Sequence, residues 1–169
     1  MQLPTHLITA VAIDKWIRHS PLPAGLKPVV TAAACFISHG ILDKIARSTY
    51  HPPDPLDDDF WRIYHQKILP NLTWMVVGTF APKHFLAMFF SAMPDLDWVA
   101  RGIAHRRGRP IPGWETPVMN EGLHHFLDRI PVINQLNRLP DLRFQRKGVL
   151  VELGLVAFML AAIHLLDRK

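Results

Sequence analysis

The chain of 169 residues contains one cysteine, Cys35. That excludes an internal disulfide and any thiolate zinc or iron–sulfur site, so a metal would have to rest on His, Asp and Glu. No segment alternates apolar and polar residues, which excludes sheet architectures and leaves the all-α class. No repeat of roughly 20–50 residues and no low-complexity tract is present, which removes solenoids and arrays. The basic start, apolar stretch and small-residue cleavage site of a secretory signal are missing. A route to a membrane would therefore run through the chain's own apolar helices. Gly-x-Ser-x-Gly, P-loop and dinucleotide fingerprints are absent too. Serine or cysteine nucleophile chemistry has no support, and the basic stretches lack the aromatic interleaving of a nucleic-acid binder.

What is present is an apolar, basic, proline-punctuated chain. Apolar residues make up 49% and charged residues 20%, yet the mean hydropathy is only +0.10. The chain is too apolar to be disordered and too polar to consist of membrane spans alone. The expectation is a membrane-associated helical bundle with short apolar helices, one helical domain over 1–169. Within it, 1–147 forms a metal-site bundle and 148–166 a C-terminal transmembrane helix. Net charge is +5 with ten histidines, a balance that suits nucleic acid, anionic lipid or a phosphorylated substrate and by itself does not choose among them.

Apolar spacing predicts helices over 3–18, 28–47 and from about Asp57 to Leu69. Residues 71–100 contain Ala81-Pro82-Lys83-His84 and read as two short helices. A basic loop is expected over 101–118 and a helix from about Asn120 to Arg129. Pro131 interrupts that helix, and a short amphipathic piece runs to Arg138. The run from 148 to 166 is the one stretch long and apolar enough to read as a complete span, with basic residues on both flanks.

Three constellations carry candidate chemistry. His39 and Asp43 are four apart on a predicted helix, so imidazole and carboxylate share a face and can meet one cation; the same spacing also occurs in plain core pairs. Glu121, His124, His125 and Asp128 fall on one stripe of NEGLHHFLD and repeat the His-x-x-x-Asp spacing, or simply form a solvated face. In MPDLDW, Asp95 and Asp97 follow an apolar helix, placed to cap the helix from Leu96 to Ala104 or to serve as oxygen ligands or a general base. Glu121 is a third candidate for the base. If 3–18 and 28–47 pack antiparallel, His6 joins His39 and Asp43.

Geometry tests this grouping. Were 28–43 and 71–93 each single crossings, Asp43 and Asp95 would lie on opposite membrane faces, roughly 30 Å apart. A shared site therefore requires a helical hairpin broken near Pro82. Arg101, Arg106, Arg107, Arg109, Arg143, Arg146 and Lys147 would then lie on the cluster's side, which the positive-inside tendency makes cytoplasmic. Arg106 and Arg107 are candidates to hold a substrate phosphate, or the loop simply attracts anionic lipid.

THLITA at 5–10, SHGILD at 38–43 and MPDLDW at 93–98 resemble the motifs of the YdjM-like inner-membrane proteins, described as membrane-bound metal-dependent hydrolases. The order differs, since Pro-Asp-x-Asp precedes Ser-His-x-x-x-Asp in that family, and its His-Arg-Gly-x-x-His-Ser motif has only a partial echo in HRRGR at 105–109. The resemblance implies a metal-dependent hydrolase at a membrane with His6, His39, Asp43, Asp95 and Asp97 as ligands. The paired His-x-x-x-Asp elements are also similar to the helix-borne ligands of zinc-dependent phospholipase C and P1-type nucleases.

The sequence therefore sets up an integral membrane metallohydrolase acting on a small-molecule or lipid-derived ester or phosphoester, with zinc or manganese as the divalent ion. Its ligands would be His6, His39, Asp43, His124, His125 and Asp128, with lipid as partner and no nucleic acid. Two rivals use the same residues: a non-catalytic small membrane protein that binds lipid or a protein partner, and a metal-binding accessory or transport protein.

Overall fold

The computed structural model describes residues 1–52, 55–108 and 118–168; Arg109 and the rest of the expected basic loop up to residue 117 lie outside them. The helices are α1 (Leu3–His19), α2 (Lys27–Ile45), α3 (Asp59–Ile63), α4 (Leu69–Arg106), α5 (Val118–Asp128), α6 (Pro131–Asn134) and α7 (Gly148–Asp167). A π-helical stretch, Tyr64–Ile68, joins α3 to α4, and 3-10 turns follow α2 and α6. Among the described residues there is no strand, and the class is all-α.

Local chemistry sets these boundaries. Pro4 and Pro28 stand in the first turns of α1 and α2, where a missing N–H costs nothing. α1 stops where Ser20 turns extended before Pro21, its hydroxyl donating to the Ile17 carbonyl at 2.6 Å. Asp58 caps α3 by accepting the Trp61 N–H at 2.7 Å. Pro70 has no N–H to offer the Gln66 carbonyl and its ring crowds that oxygen. The widened π turn just ahead of it makes the room.

α1 lies at the centre, packed against α2, α4 and α7. Leu7, Ile8, Val11 and Ala12 form the main core with Val76, Met88 and Ile163. Burying an aliphatic side chain of this kind stabilises by roughly 1.5–3 kcal/mol.

α4 is a hairpin. It starts beside the end of α2, where Leu69 packs with Tyr50 and Tyr64. It reaches the far end of α1 at Lys83, whose carbonyl accepts from Arg18 at 2.9 Å, and at His84, which donates to Asp14 at 2.6 Å. It then returns, so that the Ser91 hydroxyl donates to the His6 carbonyl at 3.1 Å and Asp95 stands beside His39. The reversal falls on His84, the one residue of α4 with non-helical angles (φ −127°, ψ 20°). The expected break near Pro82 is thus met two residues later.

Two expectations are corrected here. Pro94 does not end the helix: the returning arm continues through it to Arg106, so residues 101–106 are helical and not loop. Pro94 removes a single N–H and is fully buried, and His39 supplies an extra donor to the Ser91 carbonyl close by. Tertiary packing outweighs the local cost of the ring.

The expectation of a single complete span at 148–166 is widened: among the described residues Lys27–Ser48 and Asp59–Arg106, as well as Gly148–Asp167, are long and apolar enough to cross a membrane because their helices run beyond the apolar stretches themselves, which is compatible with an integral membrane protein. Only 11% of the most apolar window of α7 is buried, leaving Leu150, Leu153, Phe158 and Leu165 exposed. At 1.5 Å per residue its 20 residues reach about 30 Å, the thickness of a bilayer's hydrocarbon core.

Gly148 lets α7 begin against the chain that leaves α2. A Cβ there would stand 2.5 Å from the Tyr50 nitrogen and 2.6 Å from the Thr49 carbonyl carbon, both backbone atoms that cannot step aside. Gly154 on the same helix has nothing within 4 Å. Gly148→Ala is expected to cost about 1–3 kcal/mol through overpacking, whereas Gly154→Ala is neutral or slightly stabilising. Thermal unfolding of the two variants in detergent measures the contrast.

Candidate metal centre

The antiparallel packing of α1 on α2 puts the start of one beside the end of the other, and the α4 hairpin brings its returning arm to the same place. His6, His39 and Asp43 thereby offer three ligand atoms all within 4.8 Å of one another. The two imidazoles stack with centroids 4.2 Å apart and planes 19° from parallel. Asp43 faces both: Oδ1 is 3.1 Å from His6 Nε2 and Oδ2 is 3.1 Å from His39 Nε2.

The proton on His39 is fixed by its neighbour. Its Nδ1 lies 2.7 Å from the Ser91 carbonyl oxygen, which can only accept, so Nδ1 carries the hydrogen. Nε2 faces Asp43 Oδ2 at 3.1 Å and Asp95 Oδ1 at 3.5 Å, a donor to them when protonated and a lone pair for a cation when not. A histidine whose far nitrogen donates to a backbone carbonyl while its near nitrogen meets carboxylates has the outer-sphere arrangement of a metal ligand. Both ring nitrogens of His6 and Nε2 of His39 are buried without a hydrogen bond. These three side chains could hold a cation between them.

Three further groups surround Asp43. His124 Nε2 lies 3.5 Å from Oδ2, and the Met1 α-amine lies 2.6 Å from Oδ1. Asp95 completes the ring through His39. Side-chain exposure rises outward, from 0% at His39 and 19% at Asp43 to 29% at His124 and 43% at Asp95. The cluster therefore has a floor of imidazole and an open mouth. His124 owes its place to Gly40, where a Cβ would meet Leu127 Cδ1 at 2.5 Å and Leu123 Cγ at 2.9 Å. Glycine lets α5 lie directly on α2.

Not every expected residue joins the cluster. Asp97 is buried and accepts the Met119 N–H at 2.6 Å, capping α5 and not the helix that follows it. Asp128 is taken by Lys44 at 2.6 Å and by Asn137 at 2.8 Å; the Lys44 ammonium holds its carboxyl below the usual range. The second His-x-x-x-Asp pair is thus split, its histidine at the cluster and its aspartate outside. His125 is exposed. Glu121 is half-buried and makes no hydrogen bond or ion pair among the described residues. Arg106 stands about 16 Å beyond Asp95 along the returning arm by helical rise, and both Arg106 and Arg107 are exposed. Neither lies at the cluster. Arg101 covers the Trp98 ring at 5.6 Å.

Two supports of the cluster lie outside the sequence motifs. Ser91 acts through its backbone carbonyl, which no side-chain pattern reveals. Glu152, a lone carboxylate in the apolar run of α7, is the more legible one, because a charge in such a run is costly unless partnered. Its Oε1 accepts from the Gln2 N–H at 3.2 Å and the Thr5 hydroxyl at 2.7 Å, and its Oε2 from the Tyr64 hydroxyl at 3.2 Å. This caps α1 one turn from His6. Gln2 also donates to His51 Nδ1 at 3.1 Å, and burial pushes that imidazole down to about 4, so it accepts in the neutral form.

Asp95 and Asp97 therefore have separable roles. Asp97→Ala removes a helix cap and is expected to cost about 1 kcal/mol, with faster hydrogen exchange in α5. Asp95→Ala should leave thermal stability and α5 exchange unchanged. Hydrogen exchange read by mass spectrometry compares the two, and equal fraying of α5 in both variants would contradict the assignment.

No family model, curated protein or solved structure matches the chain, so the chemistry of the cluster stands on its geometry.

Proposed function

We propose that the protein is a membrane-integral, metal-dependent hydrolase centred on His6, His39 and Asp43, with His124 and Asp95 at the mouth. The observation that carries this reading is the orientation of His39, whose Nδ1 donates to the Ser91 carbonyl while its Nε2 faces two carboxylates. The resemblance of THLITA, SHGILD and MPDLDW to the YdjM-like hydrolases points the same way.

Two imidazoles and a carboxylate suit zinc, and the additional carboxylate suits manganese. A divalent ion supplies Lewis acidity and lowers the pKa of a water beside it toward neutrality. Asp95, the most exposed carboxylate of the group, would act as general base toward a water entering the mouth, and His124, on the same rim, would supply the proton that the departing oxygen of an ester or phosphoester needs. A mouth at the end of an apolar bundle suits an amphiphilic ester or phosphoester partly held in lipid. Arg101, Arg143, Arg146 and Lys147 belong to that end of the chain, and the positive-inside tendency makes it cytoplasmic.

The Met1 contact favours a second reading. A buried α-ammonium 2.6 Å from Asp43 neutralises the carboxylate without a metal, and the cluster then locks α1 to α2 in a non-catalytic membrane protein.

Elemental analysis of detergent-purified protein separates the two. The hydrolase reading expects stoichiometric zinc or manganese, its loss in His39→Ala and Asp43→Ala, and a fall in turnover of chromogenic phosphodiester or carboxyl-ester substrates on the order of a hundredfold or more. A metal-free wild type that keeps its fold and unfolding midpoint through chelation establishes the second reading instead.

A further inference from the structure

At the end of the bundle away from the His6–His39–Asp43 cluster, a second polar assembly surrounds the turn of the α4 hairpin. A cavity of about 190 Å³ opens there, lined by Asp14, Arg18, Lys27, Thr31, Lys83 and His84 among others. Part of this network only holds the turn. His84 donates through Nδ1 to Asp14 Oδ2, which also accepts from Arg18 Nε at 2.9 Å, and Arg18 reaches the Lys83 carbonyl. The single carboxylate is thus met by two cationic or proton-donating groups and contributes little free negative charge.

What remains is not needed for the turn. With Nδ1 committed to Asp14, His84 keeps Nε2 without a partner among the described residues, although the side chain is more than nine-tenths buried and lines the cavity. The Lys83 ammonium has no partner among the described residues. Lys27 gives one N–H to the Arg18 carbonyl at 2.6 Å and retains two. Thr31 is buried on the same wall. α2 begins at Lys27, so the positive end of its 19-residue dipole belongs to this wall too. Two unneutralised lysines, an unused imidazole nitrogen and a helix start around one cavity are the features of an anion site.

The surroundings set its depth. Leu86 lines the cavity, and Val29, Val30 and Phe85 beside it are exposed. Trp16, on the last turns of α1, is 66% exposed, the placement of an aromatic anchor at a membrane–water boundary.

We propose that this cavity binds a phosphate group, recognised by Lys27, Lys83 and His84, as a site separate from the candidate metal centre. The group can arrive as the headgroup of an anionic phospholipid, its chains lying along Leu86, Val30 and Phe85, or as free phosphate. The inference does not rest on the hydrolase reading, because none of its residues touches the first cluster.

Full-length protein in phosphatidylcholine nanodiscs doped with phosphatidylglycerol supplies one probe, with retained lipid counted by native mass spectrometry. Inorganic phosphate, followed by equilibrium dialysis and as a competitor of the lipid, supplies the other. Wild type is expected to bind one of them with an affinity that falls tenfold or more in Lys27→Gln/Lys83→Gln, at an unchanged unfolding midpoint. Retained phosphatidylglycerol that phosphate does not displace assigns the site to the headgroup, and saturable phosphate binding assigns it to the free ion. If the double variant does not fold, Lys83→Gln alone, whose ammonium holds nothing in place, must weaken binding at least threefold. Absence of binding to both probes, or equal binding by wild type and variant, overturns the proposal.

Discussion

The reversal of α4 at His84 is the constraint on which the rest of the molecule depends. A straight helix from Leu69 to Arg106 would run about 57 Å at 1.5 Å per residue and carry Asp95 far from α2. The turn needs a residue outside helical angles and partners for the groups it frees. His84 supplies the first, and Asp14 and Arg18, one turn apart on α1, supply the second. The central helix thus controls the two ends of the bundle, holding the hairpin turn at one and presenting His6 at the other. Glu152 of α7 fastens the same helix at its start, next to the histidine it positions.

Much of this was legible in the sequence. Proline and apolar spacing located α1, α2, α5 and α7 to within two residues or so, and the need to bring Asp43 and Asp95 together required a break near Pro82. What escaped prediction is tertiary in origin. Pro94 reads locally as a stop, yet burial and a neighbouring side-chain donor keep the helix running. The stripe of Glu121, His124, His125 and Asp128 reads as a unit, but Lys44 follows Asp43 by a single residue and diverts Asp128 from it. Asp97 reads as a partner of Asp95, but two positions along a helix point in different directions, and one of them meets the start of α5.

The polar residues follow a rule that their apolar setting enforces. α7 carries one carboxylate in its upper turns, and that group accepts three hydrogen bonds. Asp14, also buried, receives a histidine and an arginine. Against this background both ring nitrogens of His6 and Nε2 of His39 are as deeply buried and lack hydrogen bonds, a deficit shared with Thr9 Oγ1, Trp61 Nε1 and Asp97 Oδ1. An unmade hydrogen bond in such a place costs on the order of 1–3 kcal/mol. What sets the two histidines apart is that their open nitrogens both face one carboxylate, Asp43, at 3.1 Å.

The first arm of the hairpin, from Leu69 to Lys83, has a further consequence. With the residues of α3 and the π-helical stretch that run into it from Asp59, it reaches roughly 36 Å by helical rise, enough for the roughly 30 Å hydrocarbon layer that α7 matches. If the bundle spans a bilayer, Lys83, Arg18 and the exposed Trp16 would gather at one boundary and the His6–His39–Asp43 cluster near the other, so that the two polar assemblies would serve opposite sides of the membrane.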